Sequence, residues 1–125
     1  MQETENITPT RLVDELYRVI EERRSTAAAD SYVASLFARG SDRILQKVGE
    51  ELVEVLLAAK NRNRQEIVSE LADLVFHLLV MMADQEITPD EVRAELGRRF
   101  GRSGLAEKAA RRPSETPDCE RKKKA

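Results

Sequence analysis

The sequence predicts an all-α fold built on an antiparallel helical hairpin with flanking helices. Three observations predict it. Apolar residues recur every three or four positions across residues 44–59 and 67–82, the period of an amphipathic helix. Thr8-Pro9 and Thr88-Pro89 each place a capping hydroxyl just before a proline, a helix-start signal. No alternating strand pattern, glycine-rich phosphate loop or internal repeat occurs.

The elements follow in chain order. Thr8 caps a first helix that carries Leu12, Leu16, Val19 and Ile20 and runs to about Arg24. Ser25 to Ser31 is small and polar and reads as a loop. A short helix spans Ser31 to Gly40, where the glycine stops it. Ser41 or Asp42 caps a long helix through Lys60, with Ile44, Leu45, Val48, Leu52, Val55, Leu56 and Ala59 as one apolar stripe. Asn61 to Arg64 is a tight polar turn. Another long helix runs from Gln65 to about Gln85, with Ile67, Leu71, Leu74, Val75, Leu78, Leu79 and Met82 as its stripe. So short a turn forces the two long helices to lie antiparallel and adjacent. Thr88-Pro89-Asp90-Glu91 opens a last helix with Val92, Leu96 and Phe100, which Gly101 stops. From Pro113 onward the tail has no periodicity and reads as disordered. The expected organisation is an extension over residues 1–10, a domain over 11–112 and a polar tail over 113–125.

Composition narrows the function. A chain of 125 residues fits one domain. With 4% aromatic residues and no Trp, it offers no stacking platform for single-stranded nucleic acid. A net charge of -2 excludes a globally basic nucleic-acid binder. Cys119 is the only cysteine, so one chain builds neither a disulfide nor a thiolate zinc site. Residues 1–10 are polar, unlike a secretory signal, and the apolar run Leu74 to Ala83 is far too short to span a bilayer. The expectation is a cytoplasmic protein with no nucleic-acid or membrane partner.

The informative pattern is Lys47-Val48-Gly49-Glu50-Glu51-Leu52-Val53-Glu54, followed by Glu70-Leu71-Ala72-Asp73. At about 100° per residue, Glu51 and Glu54 lie about 60° apart on one helix, and Glu70 and Asp73 relate in the same way on the next. Lys47, Glu51 and Glu54 flank one apolar stripe; Glu70, Asp73 and His77 flank the other. Glu54 precedes Lys60 by the same interval at which Glu70 follows Arg64, so the acidic pairs come level, each roughly 9 Å from the turn. Carboxylates so gathered repel one another unless cations are present. Oxygen clusters suit hard ions such as Mg²⁺ or Mn²⁺, and Mg²⁺ binds substrate phosphates directly. That chemistry matches cleavage of a phosphoanhydride. The competing explanation is a solvated charged face with i±4 ion pairs, which ordinarily lies opposite the apolar stripe and not beside it.

Glu50-Glu51-x-x-Glu54 with Glu70-x-x-Asp73 resembles the signature of the MazG-like all-α NTP pyrophosphatase superfamily. Three further stretches resemble its phosphoribosyl-ATP pyrophosphatase branch: Ser31 to Leu36 with Gly40, Lys47 to Glu51, and Arg98 to Leu105 with Glu107-Lys108. The resemblance covers about residues 12 to 111. It implies hydrolysis of phosphoribosyl-ATP between the α and β phosphates, giving phosphoribosyl-AMP and pyrophosphate, the second step of histidine biosynthesis. It also implies Mg²⁺ dependence, a cytoplasmic location, and a bundle completed as a homodimer or higher homo-oligomer. Carried over by position, Glu51, Glu54, Glu70 and Asp73 become the metal ligands. Glu50, about 100° from Glu51, joins the catalytic set as an outer residue or a holder of water. Leu52 departs from the small residue more usual there, which implies altered packing. With Cys119 alone, the chain looks like the form not fused to a zinc cyclohydrolase.

Other residues carry two readings each. Lys47 is an i,i+4 ion-pair partner or a phosphate ligand. Arg98, Arg99 and Arg102 bind phosphate groups or offset a helix dipole. Ser31, Tyr32 and Ser35 line a nucleotide pocket or cap and pack a short helix. His77 is a core histidine with satisfied hydrogen bonds, or it orients Asp73 or contacts phosphate. Competing functions are a housecleaning pyrophosphatase for free nucleotides, a di-iron bundle, which needs Glu-x-x-His pairs and finds one His, and a non-catalytic helical interaction module.

Overall fold

In a computed structural model, described here for residues 9–25 and 31–100, every regular element is a helix. They are α1 (Pro9–Ser25), α2 (Tyr32–Arg39), α3 (Ser41–Lys60), α4 (Arg64–Asp84) and α5 (Pro89–Phe100). The all-α prediction is borne out, as is the hairpin of two long helices. Thr8 and the residues before it, Gly101, Arg102, Cys119 and the tail over 113–125 lie outside the described residues, whereas Pro9 and Thr10, expected in the N-terminal extension, begin α1. The chain divides into two compact units, one ending at Pro89 and one beginning at Asp90.

The hairpin of α3 and α4 organises the first unit. Asn61 donates its amide to the Leu57 carbonyl, and Arg62 turns the chain at φ 58°. Asn63 then caps α4, its side-chain oxygen accepting from the Glu66 amide at 3.1 Å. The start of the first unit is equally local. Ser31 caps α2 by accepting from the Ala34 amide. Gly40, at φ 100°, closes α2 and opens α3. A Cβ there would meet nothing within 4 Å, so backbone conformation and not space selects the glycine. This corrects the expected cap of α3. Gly40 holds the N-cap position without a side-chain bond, and Ser41 already lies inside the helix. The Ser41 hydroxyl donates instead to Asp84 Oδ2 at 2.6 Å, tying the start of α3 to the end of α4.

α1 closes over that same end. The Tyr17 hydroxyl donates to the Ile87 carbonyl at 2.7 Å, and Arg24 donates to the Ala83 carbonyl at 2.8 Å. The core follows from this geometry. Tyr17 and Ile20 from α1, Val33 and Leu36 from α2, Ile44 from α3, and Leu79, Val80 and Ala83 from α4 form one buried cluster. Ile20, Leu36, Ile44 and Val80 are the largest side chains fully removed from solvent. Truncating any of them to Ala costs about 2–5 kcal/mol.

The apolar stripes need correction. On α3 the shielded positions are Arg43, Ile44, Lys47, Val48, Glu51, Val55 and Ala58, whereas Leu45, Leu52, Leu56 and Ala59 are exposed. On α4 the shielded face includes Ile67, Glu70, Leu74, His77 and Leu78, and Leu71 and Val75 are exposed. Each apolar arc is wider than one helix-helix contact. One part meets the neighbouring helix, and the rest, with Val53, Leu57 and Val68, remains uncovered in the chain. Leu52 belongs to the uncovered part at 45% exposure, so it alters no interior packing.

The second unit contains the run of α5 from Asp90. The helix has Asp90 and Glu91 in its first turn and Arg98 and Arg99 in its last, the arrangement that complements a helix dipole.

Candidate active site

The helical period sets the site. Lys47 and Glu51 are one turn apart on α3, and Glu70 and Asp73 one turn apart on α4. The hairpin brings one carboxylate oxygen from each of Glu51, Glu70 and Asp73 within 4.8 Å of one another. Glu51 and Glu70 are partly shielded from solvent, and Asp73 is exposed. Only 13% of the Glu51 side chain is exposed.

The charge density registers on Glu70. Its carboxyl is pushed above the usual range, first by burial and then by the like charges of Asp73, Glu54, Glu51 and Glu66. Glu54 is therefore an electrostatic neighbour of the cluster, although the tight oxygen group comprises the other three.

Lys47 supplies the compensating charge. Its ammonium lies 3.3 Å from Glu51 Oε2 and 3.3 Å from Glu50 Oε1. Burial of Lys47 acts to lower its pKa, but hydrogen bonds to Glu51 and Glu50 and the charge on Tyr32 and Glu51 raise it overall. Glu50 is not part of the tight oxygen group. It accepts from Gln46 at 3.1 Å and lies 4.0 Å from Arg43.

Tyr32 at the start of α2 reaches the same region. Its hydroxyl lies 2.8 Å from His77 Nε2, and its ring stacks on Phe76 with centroids 6.2 Å apart. His77 is buried, with Nδ1 at 2.8 Å from the Asp73 carbonyl. His77 thus has both ring nitrogens satisfied, and it meets the backbone of Asp73 and not its carboxylate. Ser31 is committed to its cap and to a 3.1 Å bond from Arg23, and the Ser35 hydroxyl donates to the Tyr32 carbonyl. Arg98 and Arg99 both bond Glu95 within α5. Arg102 lies outside the described residues.

Sequence reasoning missed Arg43 and Gln46. Their signal was available: 43, 47 and 50, with 46 beside them, follow helical spacing. The pairing of Tyr32 with His77 spans 45 positions and has no local signature.

Residues 13–100 match the phosphoribosyl-ATP pyrophosphohydrolase family. The chain belongs to that family. A phosphoribosyl-ATP pyrophosphatase of Geobacter metallireducens is 53% identical over 100 residues, 80% of this chain and 92% of the relative. One from Methylococcus capsulatus is 52% identical over 97 residues, 78% and 92% of the two chains. A third, from Rhodospirillum rubrum, is 50% identical over 101 residues, 81% and 86%. The phosphoribosyl-ATP pyrophosphohydrolase match spans α2, α3 and α4 whole and so includes every carboxylate of the cluster.

Proposed function

We propose that this protein hydrolyses the α–β phosphoanhydride of phosphoribosyl-ATP, releasing phosphoribosyl-AMP and pyrophosphate, as the second step of histidine biosynthesis. The carrying observation is the oxygen cluster of Glu51, Glu70 and Asp73 on a hairpin shared with relatives that bear the name phosphoribosyl-ATP pyrophosphatase. The functional domain is taken as residues 11–112, and the reaction as cytoplasmic. Among the described residues no helix is long and apolar enough to cross a membrane.

The donor set fits a hard divalent ion. Its ligands are all carboxylate oxygens, and Glu70 is held above its usual pKa by burial and then by the like charges beside it, of which a cation relieves the second. Glu51, Glu54, Glu70 and Asp73 are the proposed ligands for Mg²⁺, with Mn²⁺ as a substitute. Such an ion supplies charge neutralisation at phosphate and a more acidic water. The remaining work falls to the chain. Lys47 reaches from the cluster toward phosphate oxygens. Tyr32, placed by the Ser31 cap and supported by Phe76, offers a ring face to the nucleotide, and Ser35 steadies the turn that carries it. Arg98, Arg99 and Arg102 are kept as phosphate contacts. Glu50 serves as an outer residue.

The uncovered apolar arc of α3 and α4 supports a homodimer in which a second hairpin covers it. The deciding experiment is a pyrophosphate-release assay on phosphoribosyl-ATP beside common nucleoside triphosphates, with Mg²⁺ and with EDTA. Preference for phosphoribosyl-ATP and loss of turnover in EDTA are expected. Equal turnover of free nucleotides would assign a housecleaning role instead.

A further inference from the structure

We infer that Arg43 and Lys47 form an anion subsite for a phosphate group of the substrate, and that Glu50 holds its place in the free protein. The inference deepens the proposed function and rests on it. Arg43 and Lys47 are one turn apart on α3 and point their charges at one acceptor. Glu50 Oε1 lies 3.3 Å from Lys47 Nζ, and Glu50 Oε2 lies 4.0 Å from Arg43 and 3.1 Å from Gln46 Nε2.

The arrangement leaves the Arg43 Nε unsatisfied. It is buried without a hydrogen-bond partner, and among the described residues the ion pair of Arg43 with Glu50 is at the outer limit of contact. A buried guanidinium donor ordinarily finds an acceptor. A single carboxylate shared among Arg43, Gln46 and Lys47 satisfies none of them fully. A phosphate has more acceptor oxygens and more charge, and the planar Arg fork matches its geometry. Lys47 also touches Glu51, so an anion that displaces Glu50 sits about one helical turn from the oxygen cluster. That distance suits a phosphate adjoining the bond to be cut, and no residue on α5 is required.

Two substrate groups share this chemistry: the leaving pyrophosphate and the ribose 5′-phosphate. Product binding separates them. Wild type, Arg43→Gln, Arg43→Lys and the exposed control Arg39→Gln are titrated with inorganic pyrophosphate and, separately, with phosphoribosyl-AMP, in the presence of Mg²⁺. Arg43→Gln is expected to weaken one of the two by about ten- to a hundredfold, with Arg43→Lys between and Arg39→Gln unchanged. Loss confined to pyrophosphate assigns the leaving-group end; loss confined to phosphoribosyl-AMP assigns the 5′-phosphate. Circular dichroism and the melting temperature separate misfolding from lost binding, and Glu50→Gln, which frees both cations, should tighten the same ligand. Unchanged binding of both products by folded Arg43→Gln would overturn the subsite. A wild type without turnover on phosphoribosyl-ATP would instead overturn the proposed function.

Discussion

The Tyr32 hydroxyl and His77 Nε2 meet at 2.8 Å, joining the first residue of α2 to the middle of α4. The other ring nitrogen faces the Asp73 carbonyl at 2.8 Å. A carbonyl only accepts, so Nδ1 carries a proton, and in the neutral ring Nε2 accepts from the tyrosine. Tyr32→Phe leaves a buried nitrogen without a donor. It should cost about 1–3 kcal/mol in urea unfolding, and ¹⁵N spectra of the sole histidine should report the Nδ1–H tautomer in wild type.

The crowding around Glu70 sets a pH dependence. Its pKa is raised in the folded protein, so the folded state holds that proton at pH values where the unfolded chain, near 4.5, has released it. Metal-free stability contributed by Glu70 is therefore greatest at low pH and falls as pH rises from about 4.5 through the raised value. Glu70→Gln should melt higher than wild type in EDTA at neutral pH, and lose most of the increase in melting temperature that Mg²⁺ gives wild type. A lower melting point for the variant in EDTA would refute this.

Asp73 lies at the exposed edge of the cluster and contributes little to packing. Asp73→Asn and Glu54→Gln should each lower kcat by at least about a hundredfold while circular dichroism and unfolding stay near wild type. Near-normal turnover in both would favour a non-catalytic helical module.

The exposed leucines test the assembly. Leu56 is 58% exposed on the outer arc of α3. The proposed homodimer predicts that wild type and Arg64→Glu, exposed at the start of α4, sediment as dimers and Leu56→Glu as a monomer.

Glu95 has the opposite shift to Glu70. Hydrogen bonds from Arg98 and Arg99 lower its carboxyl to about 2. Stability from this pair is present above the ordinary value near 4.5 and is lost as pH falls toward 2. A carboxyl-carbon NMR titration should place Glu95 well below the other glutamates, and high salt should move it back toward them, because the pair is exposed.

The hairpin was legible because two strong helical periods flank a turn too short for any other arrangement. The equal intervals from the turn count Glu54 level with Glu70, whereas the tight oxygen group joins Glu51 to Glu70 and Asp73, a choice within the acidic doublets that spacing alone does not make. The orientation of the arcs was not legible either. Leu52 and Leu56 look like interior residues when a helix is read alone, because apolar composition marks both the contact with α4 and a surface that stays uncovered in the chain. The cap at Gly40 was hidden behind two better-known capping types at Ser41 and Asp42. Contacts between distant residues, such as Ser41 with Asp84 or Tyr32 with His77, depend on packing that no local window contains.

The buried cluster gathers where α1 and α2 cover the ends of the hairpin, and Glu51, Glu54, Glu70 and Asp73 lie beyond it. Persistence of the scaffold and identity of the reaction thus depend on different turns of the same two helices. The link between them is the set of contacts from the Asp73 carbonyl through His77 and Tyr32 to Phe76, which packs against the buried cluster.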